Sequence, residues 1–217
     1  MKLWSALLDL LYPPRCTFCH CFVKSSAVAI CDNCRKNLPY TTNGGRQKAD
    51  FVTVCVSPLY YEDDVRESLL RYKFHGATGY AKAYAPLVAD CIREHLDQEY
   101  DLITWVPLSR KRLHRRGYDQ ARLLAEAVAT ELDTMAVGTL KKIRNTAAQS
   151  QTGSAEKRRA NISGAYRVMN PALVADKRIL LIDDIVTTGS TLSECARTLG
   201  LAGAECVICA AVARHRD

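Results

Sequence analysis

The chain has 217 residues, of which 48% are hydrophobic, and carries a formal net charge of +7 at pH 7. This length accommodates one α/β domain with a small additional module, and the apolar fraction excludes an intrinsically disordered chain. The positive charge favours anionic partners, namely phosphorylated metabolites, nucleic acid or both.

The first 14 residues, M-K-L-W-S-A-L-L-D-L-L-Y-P-P, predict a short amphipathic helix that ends at Pro13 and Pro14. Asp9 interrupts the apolar stretch and no small-residue cleavage site follows, so the pattern is not that of a signal peptide. The sequence has no run of about 18 apolar residues, which a membrane span would need. We therefore expect a cytoplasmic protein whose ten cysteines are reduced or bind metal.

Two Cys-x-x-Cys pairs, C-T-F-C and C-D-N-C, follow this segment with 11 residues between them. Each pair presents two thiolates to one metal, so they predict a structural Zn(Cys)₄ site formed by Cys16, Cys19, Cys31 and Cys34. Cys21 lies beside the first pair and could replace one ligand if the register differs. Two disulfides, or a redox-active Cys-x-x-Cys pair, are the alternative interpretation. So small a module has too little core to fold alone, and we expect zinc to stabilise it.

A polar gap at 41–48 predicts a linker, so we expect an N-terminal helix and zinc finger at 1–45 and a second domain at 46–217. In chain order, that domain is predicted to contain strand 51–59, helix 64–74, helix 80–96, strand 101–108, helix 119–132, strand 179–183 with a following helix, and strand 206–213. The alternation predicts an α/β fold with a doubly wound, mainly parallel sheet that binds ligands at the carboxyl ends of its strands. The remaining cysteines are interpreted as small apolar core residues: Cys55, Cys91, Cys195, Cys206 and Cys209.

A basic cluster follows strand 101–108, since five of the seven residues at 110–116 are Lys or Arg. One interpretation is a solvated surface loop that contacts nucleic acid without specificity. The other is a clamp for pyrophosphate or phosphate, because the cluster comes directly after a strand of the predicted sheet. The candidate binding residues are Ser109, Arg110, Lys111, Arg112, Arg115 and Arg116.

A long polar stretch at 144–163 is the next feature, and connections of this length are usually functional or disordered. The flanking stretches 139–142 and 165–169 are predicted to pair as an antiparallel ribbon. A mobile hood carried by this ribbon would close over an activated sugar and exclude water. Disorder without a role is the alternative.

The run 178–191, R-I-L-L-I-D-D-I-V-T-T-G-S-T, predicts a buried strand, two carboxylates where it ends, a turn and then a helix. A turn that opens a helix offers backbone N–H groups, hydroxyls and the positive end of the helix dipole, which together suit a phosphate. Paired acids suit the hydroxyls of a sugar, or a magnesium ion beside it. The alternative is an ordinary strand–turn–helix unit whose aspartates cap the helix or face water. Neither a Walker A loop nor a dinucleotide-binding fingerprint is present.

This run resembles the phosphoribosyl pyrophosphate signature of type I phosphoribosyltransferases. The resemblance implies that Asp183 and Asp184 face the ribose hydroxyls and Mg²⁺. It also implies that the turn cradles the 5′-phosphate, with Thr187, Thr188, Gly189, Ser190 and Thr191 as the binding residues.

Over essentially its whole length, the sequence resembles the ComF family of competence-associated, phosphoribosyltransferase-like proteins. The similarity rests on the cysteine-rich head, V-P-L…R-R-G-Y-D-Q-A at 106–121, Q…R-R-A-N with G-A-Y-R-V at 149–168, and the 178–191 run. The family more often has Phe and Asn where this chain has Tyr118 and Asp119. The resemblance assigns five residues to the hood: Gln149, Gln151, Arg158, Arg159 and Asn161.

The resemblance implies a role in DNA uptake and natural transformation, with phosphoribosyl pyrophosphate and Mg²⁺ as ligands. Single-stranded DNA and DNA-uptake or recombination proteins are the candidate partners. Two alternatives stay open: a transferase that passes ribose 5-phosphate to an amine or base and releases pyrophosphate, and a non-catalytic module that senses a ligand or binds nucleic acid. Hypoxanthine–guanine transferases carry an acid at the position of Thr187, so activity of that kind is not expected.

Overall fold

The computed structural model of the chain describes residues 13–96, 99–145 and 162–216. The predicted N-terminal helix and the five predicted hood residues lie outside these ranges. Within them, no helix combines the length and apolar character that a membrane crossing requires.

The described ranges contain six α-helices and eight strands. The helices are α1 (Asp32–Asn37), α2 (Asp63–Phe74), α3 (Tyr80–His95), α4 (Arg110–Arg116), α5 (Gln120–Glu131) and α6 (Ser190–Leu201). The strands are β1 (Gln47–Ala49), β2 (Val52–Val56), β3 (Leu59–Tyr60), β4 (Leu102–Trp105), β5 (Leu140–Lys142), β6 (Tyr166–Val168), β7 (Arg178–Val186) and β8 (Cys206–Arg214). The three helices predicted between residues 64 and 132 are confirmed within one residue at each end.

The main sheet has the strand order β1-β2-β8-β7-β4, with β3 also paired to β8. β2, β3 and β7 run parallel to β8, and β4 runs parallel to β7, whereas β1 is antiparallel to β2. Successive residues of β7 point to opposite faces. Leu180 and Ile182 join the core cluster formed with α2, α3 and α5, while Ile179 and Leu181 join the one formed with α6. The predicted doubly wound, mainly parallel α/β fold is confirmed.

The bounds of three predicted strands are wrong, and two of the errors lie at prolines. The strand predicted at 51–59 is split into β2 and β3 around Pro58, and the one predicted at 101–108 ends before Pro107. Proline has no N–H to donate to a strand ladder, which accounts for both interruptions. β7 extends to Val186, so Asp183 and Asp184 lie inside the strand rather than where it ends.

The basic cluster forms a helix, α4. The interpretation of this stretch as a solvated loop predicted an irregular backbone instead. Ser109 caps its first turn by accepting a hydrogen bond from the backbone N–H of Arg112 at 3.4 Å. Gly117 ends it with a left-handed backbone at φ +82°, a conformation that favours glycine. Asp119 then caps α5 by accepting a hydrogen bond from the N–H of Arg122.

The stretches around the long polar segment form the predicted antiparallel ribbon. β5 pairs with β6 through Leu140 and Val168 at one end and Lys142 and Tyr166 at the other. The backbone N–H of Gly164 donates to the carboxylate of Glu194 on α6 at 2.7 Å. The ribbon is therefore attached to the helix that follows β7.

The predicted linker at 41–48 forms a 3₁₀ turn, Thr42–Gly45, and then enters β1. Its backbone is hydrogen-bonded to the loop after β2, since the N–H of Thr41 donates to Pro58 and that of Ser57 donates to Gly44. This stretch therefore belongs to the edge of the main sheet.

Candidate functional site

A cavity of about 870 Å³ opens where β4, β7 and β8 end, within the size range of small-molecule sites. Among the described residues, the acids that line it are Asp183 and Asp184. Seven cationic side chains line it as well: Arg66, Lys73, Arg112, Arg115, Arg116, Lys142 and Arg216. This excess of positive charge suits a ligand that carries several negative charges.

The two acids occupy successive positions of β7 and are 9% and 3% exposed. The backbone N–H of Asp184 donates to Oδ1 of Asp183 at 2.8 Å. Burial, followed by the neighbouring Asp184 carboxylate, raises the pKa of Asp183 well above its ordinary value. Asp183 is therefore readily protonated, and its carboxyl group can donate as well as accept a hydrogen bond.

Asp184 is paired with a lysine that no sequence motif indicated. Nζ of Lys73, in the last turn of α2, lies 3.0 Å from Oδ1 of Asp184. Oδ2 of Asp184 is buried and has no hydrogen-bond partner in the described structure. A buried carboxylate oxygen without a donor is costly, so the Lys73 ion pair at the other oxygen is the main compensation for burying this carboxylate.

The turn after β7 contributes three hydroxyl side chains to the cavity, those of Thr187, Thr188 and Thr191. The other two residues of the predicted phosphate-binding turn, Gly189 and Ser190, do not line it. Gly189 has φ +70° and precedes the first residue of α6, and a Cβ there would lie 3.1 Å from the side chain of Ala49. The Ser190 hydroxyl is hydrogen-bonded to that of Thr188 at 2.8 Å. The N-terminus of α6, the positive end of its dipole, therefore adjoins the cavity.

Helix α4 separates the predicted basic residues into two groups. Arg112, Arg115 and Arg116 line the cavity, whereas Arg110 and Lys111 are exposed and do not. Ser109 is buried and serves as the cap of the helix. Three of the six candidates are thus placed beside the acid pair.

The structure adds cavity residues that the sequence did not indicate, from α2, the ribbon and the end of β8. They come from segments that are far apart in the chain and outside the predicted motifs: Tyr61, Arg66, Lys73, Lys142, Tyr166, His215 and Arg216. Lys142 donates to the hydroxyl of Tyr166 at 3.1 Å. Burial, and then the charge of Arg112, lowers the pKa of Lys142 to about 8. No motif of the sequence assigns these positions to the site, because they meet only through the tertiary structure.

The head contains a cluster of thiols at the predicted positions, Cys16, Cys19, Cys31 and Cys34, whose sulfur atoms all lie within 4.8 Å of one another. Sγ of Cys19 is 3.7 Å from Sγ of Cys31. Tetrahedral zinc with Zn–S bonds of about 2.3 Å places sulfurs about 3.8 Å apart, so the cluster fits the metal. Zinc bound there would act structurally, holding the two Cys-x-x-Cys segments together, since four protein ligands leave no open position.

None of the ten cysteines forms a disulfide, which contradicts the alternative interpretation of two disulfides in the head. The exposed Cys21 lies 3.3 Å from Cys19 but outside the four-thiol cluster. The backbone N–H of Cys34 donates to Sγ of Cys31, and this bond lowers the pKa of Cys31 to about 7. Thiolate formation, which metal binding requires, is thus favoured at Cys31.

Two family descriptions match this chain. Residues 119–217 match the phosphoribosyl transferase domain, and residues 7–45 match the double zinc ribbon domain. The chain is therefore a phosphoribosyltransferase-like α/β protein with an N-terminal zinc ribbon. The match to the ribbon and the four clustered thiols support structural zinc.

Similar proteins are found among competence proteins. The chain is 28% identical over 213 residues to Competence protein F of Haemophilus influenzae, across 88% of this chain and 93% of the relative. It is 30% identical over 139 residues to Competence protein ComFC of Bacillus subtilis, across 64% of this chain and 55% of the relative. It is 38% identical over 111 residues to DNA utilization protein YhgH of Escherichia coli, across 49% of this chain and 46% of the relative. The chain is therefore similar to competence proteins, to one of them over most of its length.

Among solved structures, the chain is similar to glutamine phosphoribosylpyrophosphate amidotransferase from B. subtilis. The TM-score is 0.44 at 18% sequence identity, over 64% of this chain and 30% of that one.

Proposed function

We propose that this protein binds phosphoribosyl pyrophosphate together with Mg²⁺ and acts in DNA uptake. The observation that carries the proposal is the cavity in which an acid pair, a hydroxyl-rich turn and a group of cations meet. Phosphoribosyl pyrophosphate has one feature for each of them: a vicinal diol, a 5′-phosphate and a pyrophosphate.

In this proposal the turn from Thr187 to Thr191 holds the 5′-phosphate through hydroxyls and backbone N–H groups at the start of α6. The carboxyl groups of Asp183 and Asp184, which line the cavity, form hydrogen bonds with the ribose hydroxyls. The pyrophosphate lies against α4, where Arg112, Arg115 and Arg116 offer charge-assisted hydrogen bonds.

Mg²⁺ prefers oxygen ligands, but Oδ1 of Asp184 is already paired with Lys73, so in this proposal the ion enters the cavity with the pyrophosphate oxygens. Bound Mg²⁺ would offset the charge of the pyrophosphate. The remaining charge on the ligand is met by the cavity's own arginines and lysines, which also orient it. Buried Asp183 and Asp184 then fix the position of the ribose ring.

The part of the proposal that concerns DNA is supported by the relatives, which are named as competence and DNA utilization proteins. Arg110 and Lys111 are exposed on the outer side of α4 and supply a basic surface for single-stranded DNA or for uptake and recombination proteins. A cytoplasmic location is part of the same proposal, and ten free thiols accord with a reducing compartment.

The decisive experiment is calorimetric titration of phosphoribosyl pyrophosphate into the zinc-loaded protein, with and without Mg²⁺. Wild type is compared with Asp183→Ala/Asp184→Ala, and Arg110→Ala serves as the control on the outer face of α4. We expect the double variant to lose about tenfold or more in affinity, because the hydrogen-bond partners of the ribose hydroxyls are removed. Unchanged affinity in the double variant would contradict the assignment.

Two further measurements define the activity. Release of pyrophosphate in the presence of a panel of bases and amines would show turnover, which favours the transferase alternative. Binding of fluorescent single-stranded DNA, followed by anisotropy over a salt series, tests the DNA partner, because contacts with phosphates weaken steeply as salt rises. Arg110→Ala/Lys111→Ala is expected to weaken this binding while leaving the affinity for phosphoribosyl pyrophosphate intact.

A further inference from the structure

One acid of the pair in the cavity, Asp184, already forms an ion pair with a lysine. Nζ of Lys73 lies 3.0 Å from Oδ1 of Asp184, and the two side chains are 20% and 4% exposed. Lys73 reaches this position from α2, which packs on the face of the sheet toward which Asp184 points. Lys73 is therefore held beside the acid pair by the packing of α2.

The ammonium group and a metal ion would compete for the same carboxylate oxygen. A Mg²⁺ ion that coordinated this oxygen at about 2.1 Å would lie within a few ångströms of the Lys73 ammonium, and the two positive charges would repel each other. The positive charge of Lys73 also lowers the attraction of the acid pair for a divalent cation. Arg116, whose pKa is lowered by burial and partly restored by the charge of Asp184, adds a second positive charge nearby.

The other oxygen of Asp184 offers no open position either. Oδ2 is covered by protein and has no hydrogen-bond partner in the part of the chain that the structure describes. Asp184 therefore enters the site as a lysine-paired carboxylate and not as a vacant metal ligand.

We propose that Lys73 is the resident cation of this subsite, taking the place of a divalent metal at Asp184 so that a sugar hydroxyl binds at the acid pair without metal. Mg²⁺ then enters the cavity only with a pyrophosphate group. The identity of the sugar rests on the proposed function, whereas the exclusion of metal from Asp184 by Lys73 does not.

The first test measures metal binding to the zinc-loaded full chain without ligand, with Mn²⁺ as a paramagnetic probe and electron paramagnetic resonance as the readout. Removal of the ammonium in Lys73→Met is expected to tighten Mn²⁺ binding about tenfold or more. The added affinity should vanish in Lys73→Met/Asp184→Asn. Exposed Lys82, which does not line the cavity, supplies the matched control Lys82→Met, expected to behave as wild type. Equal Mn²⁺ affinity in wild type and Lys73→Met overturns the proposal.

Two more variants separate the effect of the Lys73 charge from that of a folding defect. Lys73→Gln keeps a hydrogen-bond donor for Oδ1 without the charge and should reproduce the gain in Mn²⁺ affinity. Lys73→Arg keeps the charge and should not. If Lys73→Arg binds Mn²⁺ as tightly as Lys73→Gln, charge is not what excludes the metal and the proposal fails.

The second test uses ribose 5-phosphate, which has the diol and the phosphate but no pyrophosphate to bring metal with it. Wild type is expected to bind it with an affinity that Mg²⁺ changes by less than about twofold, whereas Lys73→Gln should bind about tenfold more weakly until Mg²⁺ is added. Similar Mg²⁺ dependence in both proteins overturns the proposal. Failure of wild type to bind the sugar phosphate would overturn the proposed function, and the Mn²⁺ titration would still decide the role of Lys73.

Discussion

The ring of Phe18, beside the thiol cluster, packs on the ring of Tyr84 in α3, with centroids 5.8 Å apart and planes at 56°. Two polar contacts reinforce this junction. The Ser68 hydroxyl donates to the carbonyl of Thr17 at 2.6 Å, and the Arg71 guanidinium donates to the carbonyl of Phe18 at 2.5 Å. The head and the sheet domain therefore share one core cluster, and packing as well as zinc stabilises the head.

The substitution Phe18→Ala should destabilise the whole protein. Phe18 is 1% exposed, and truncation of a buried phenylalanine costs about 3–5 kcal/mol. Denaturant unfolding of the zinc-loaded protein measures the loss. The control is Phe22→Ala in the same head: Phe22 is 63% exposed, and its loss should cost less than about 1 kcal/mol. Equal effects would mean that the head does not share the core of the domain.

Removal of two cluster thiols should remove the metal. In Cys31→Ser/Cys34→Ser we expect zinc content near zero and a lower melting temperature, because a cluster with two ligands does not hold a structural zinc. Metal analysis by mass spectrometry, together with thermal unfolding, checks both. Cys21→Ser, which alters a thiol outside the cluster, should keep its zinc. Full zinc content in the double variant would refute the site, and loss of zinc from Cys21→Ser would show that the ligand set is shifted.

The two sides of α4 should differ in their effect on the proposed ligand. Arg112→Ala removes a cation that lines the cavity and should weaken the binding of phosphoribosyl pyrophosphate about tenfold, the usual effect of losing a hydrogen bond to a charged group. Arg110→Ala, on the same helix but outside the cavity, should leave the affinity within about twofold. Calorimetric titration gives both values. If Arg110→Ala has the larger effect, the pyrophosphate does not lie where we propose.

Affinity for phosphoribosyl pyrophosphate should fall as the pH rises through about 8. The pKa of Lys142 is lowered to about 8, so this side chain is mostly charged at pH 7 and mostly neutral at pH 9. The ligand's phosphates, with a second pKa of about 6, do not change over this interval. Because the charged lysine attracts the anion and the neutral one does not, we expect affinity to be about tenfold lower at pH 9 than at pH 7.

The control for this pH dependence is Lys142→Arg. Its guanidinium stays protonated over the whole interval, so the affinity of the variant should be nearly constant. Titrations at four pH values and constant ionic strength provide the comparison. Parallel pH profiles in wild type and Lys142→Arg would assign the effect to another group.

Short-range sequence patterns were sufficient to predict much of the fold and part of the site. The two Cys-x-x-Cys pairs, the 178–191 run and the alternation of strands and helices are all local signals, and they led to the thiol cluster, the hydroxyl-rich turn and the fold class. The helical state of 110–116 also had a local signal, a Ser109 cap and a terminating Gly117, but five like charges obscured it.

The composition of the cavity depended on the tertiary structure. Lys73 and Asp184 are more than a hundred residues apart, and neither α2 nor the ribbon strand with Lys142 has a motif that assigns a cation to the site. They meet because parallel strands deliver their carboxyl ends to one edge, where segments from distant parts of the chain converge. Local sequence determined which backbone N–H groups and which thiols are positioned to bind a ligand or a metal. Only the packing of α2, α4 and the ribbon around that edge decided which charges face the two acids, since Coulomb interactions depend on distance in space and not on separation along the chain.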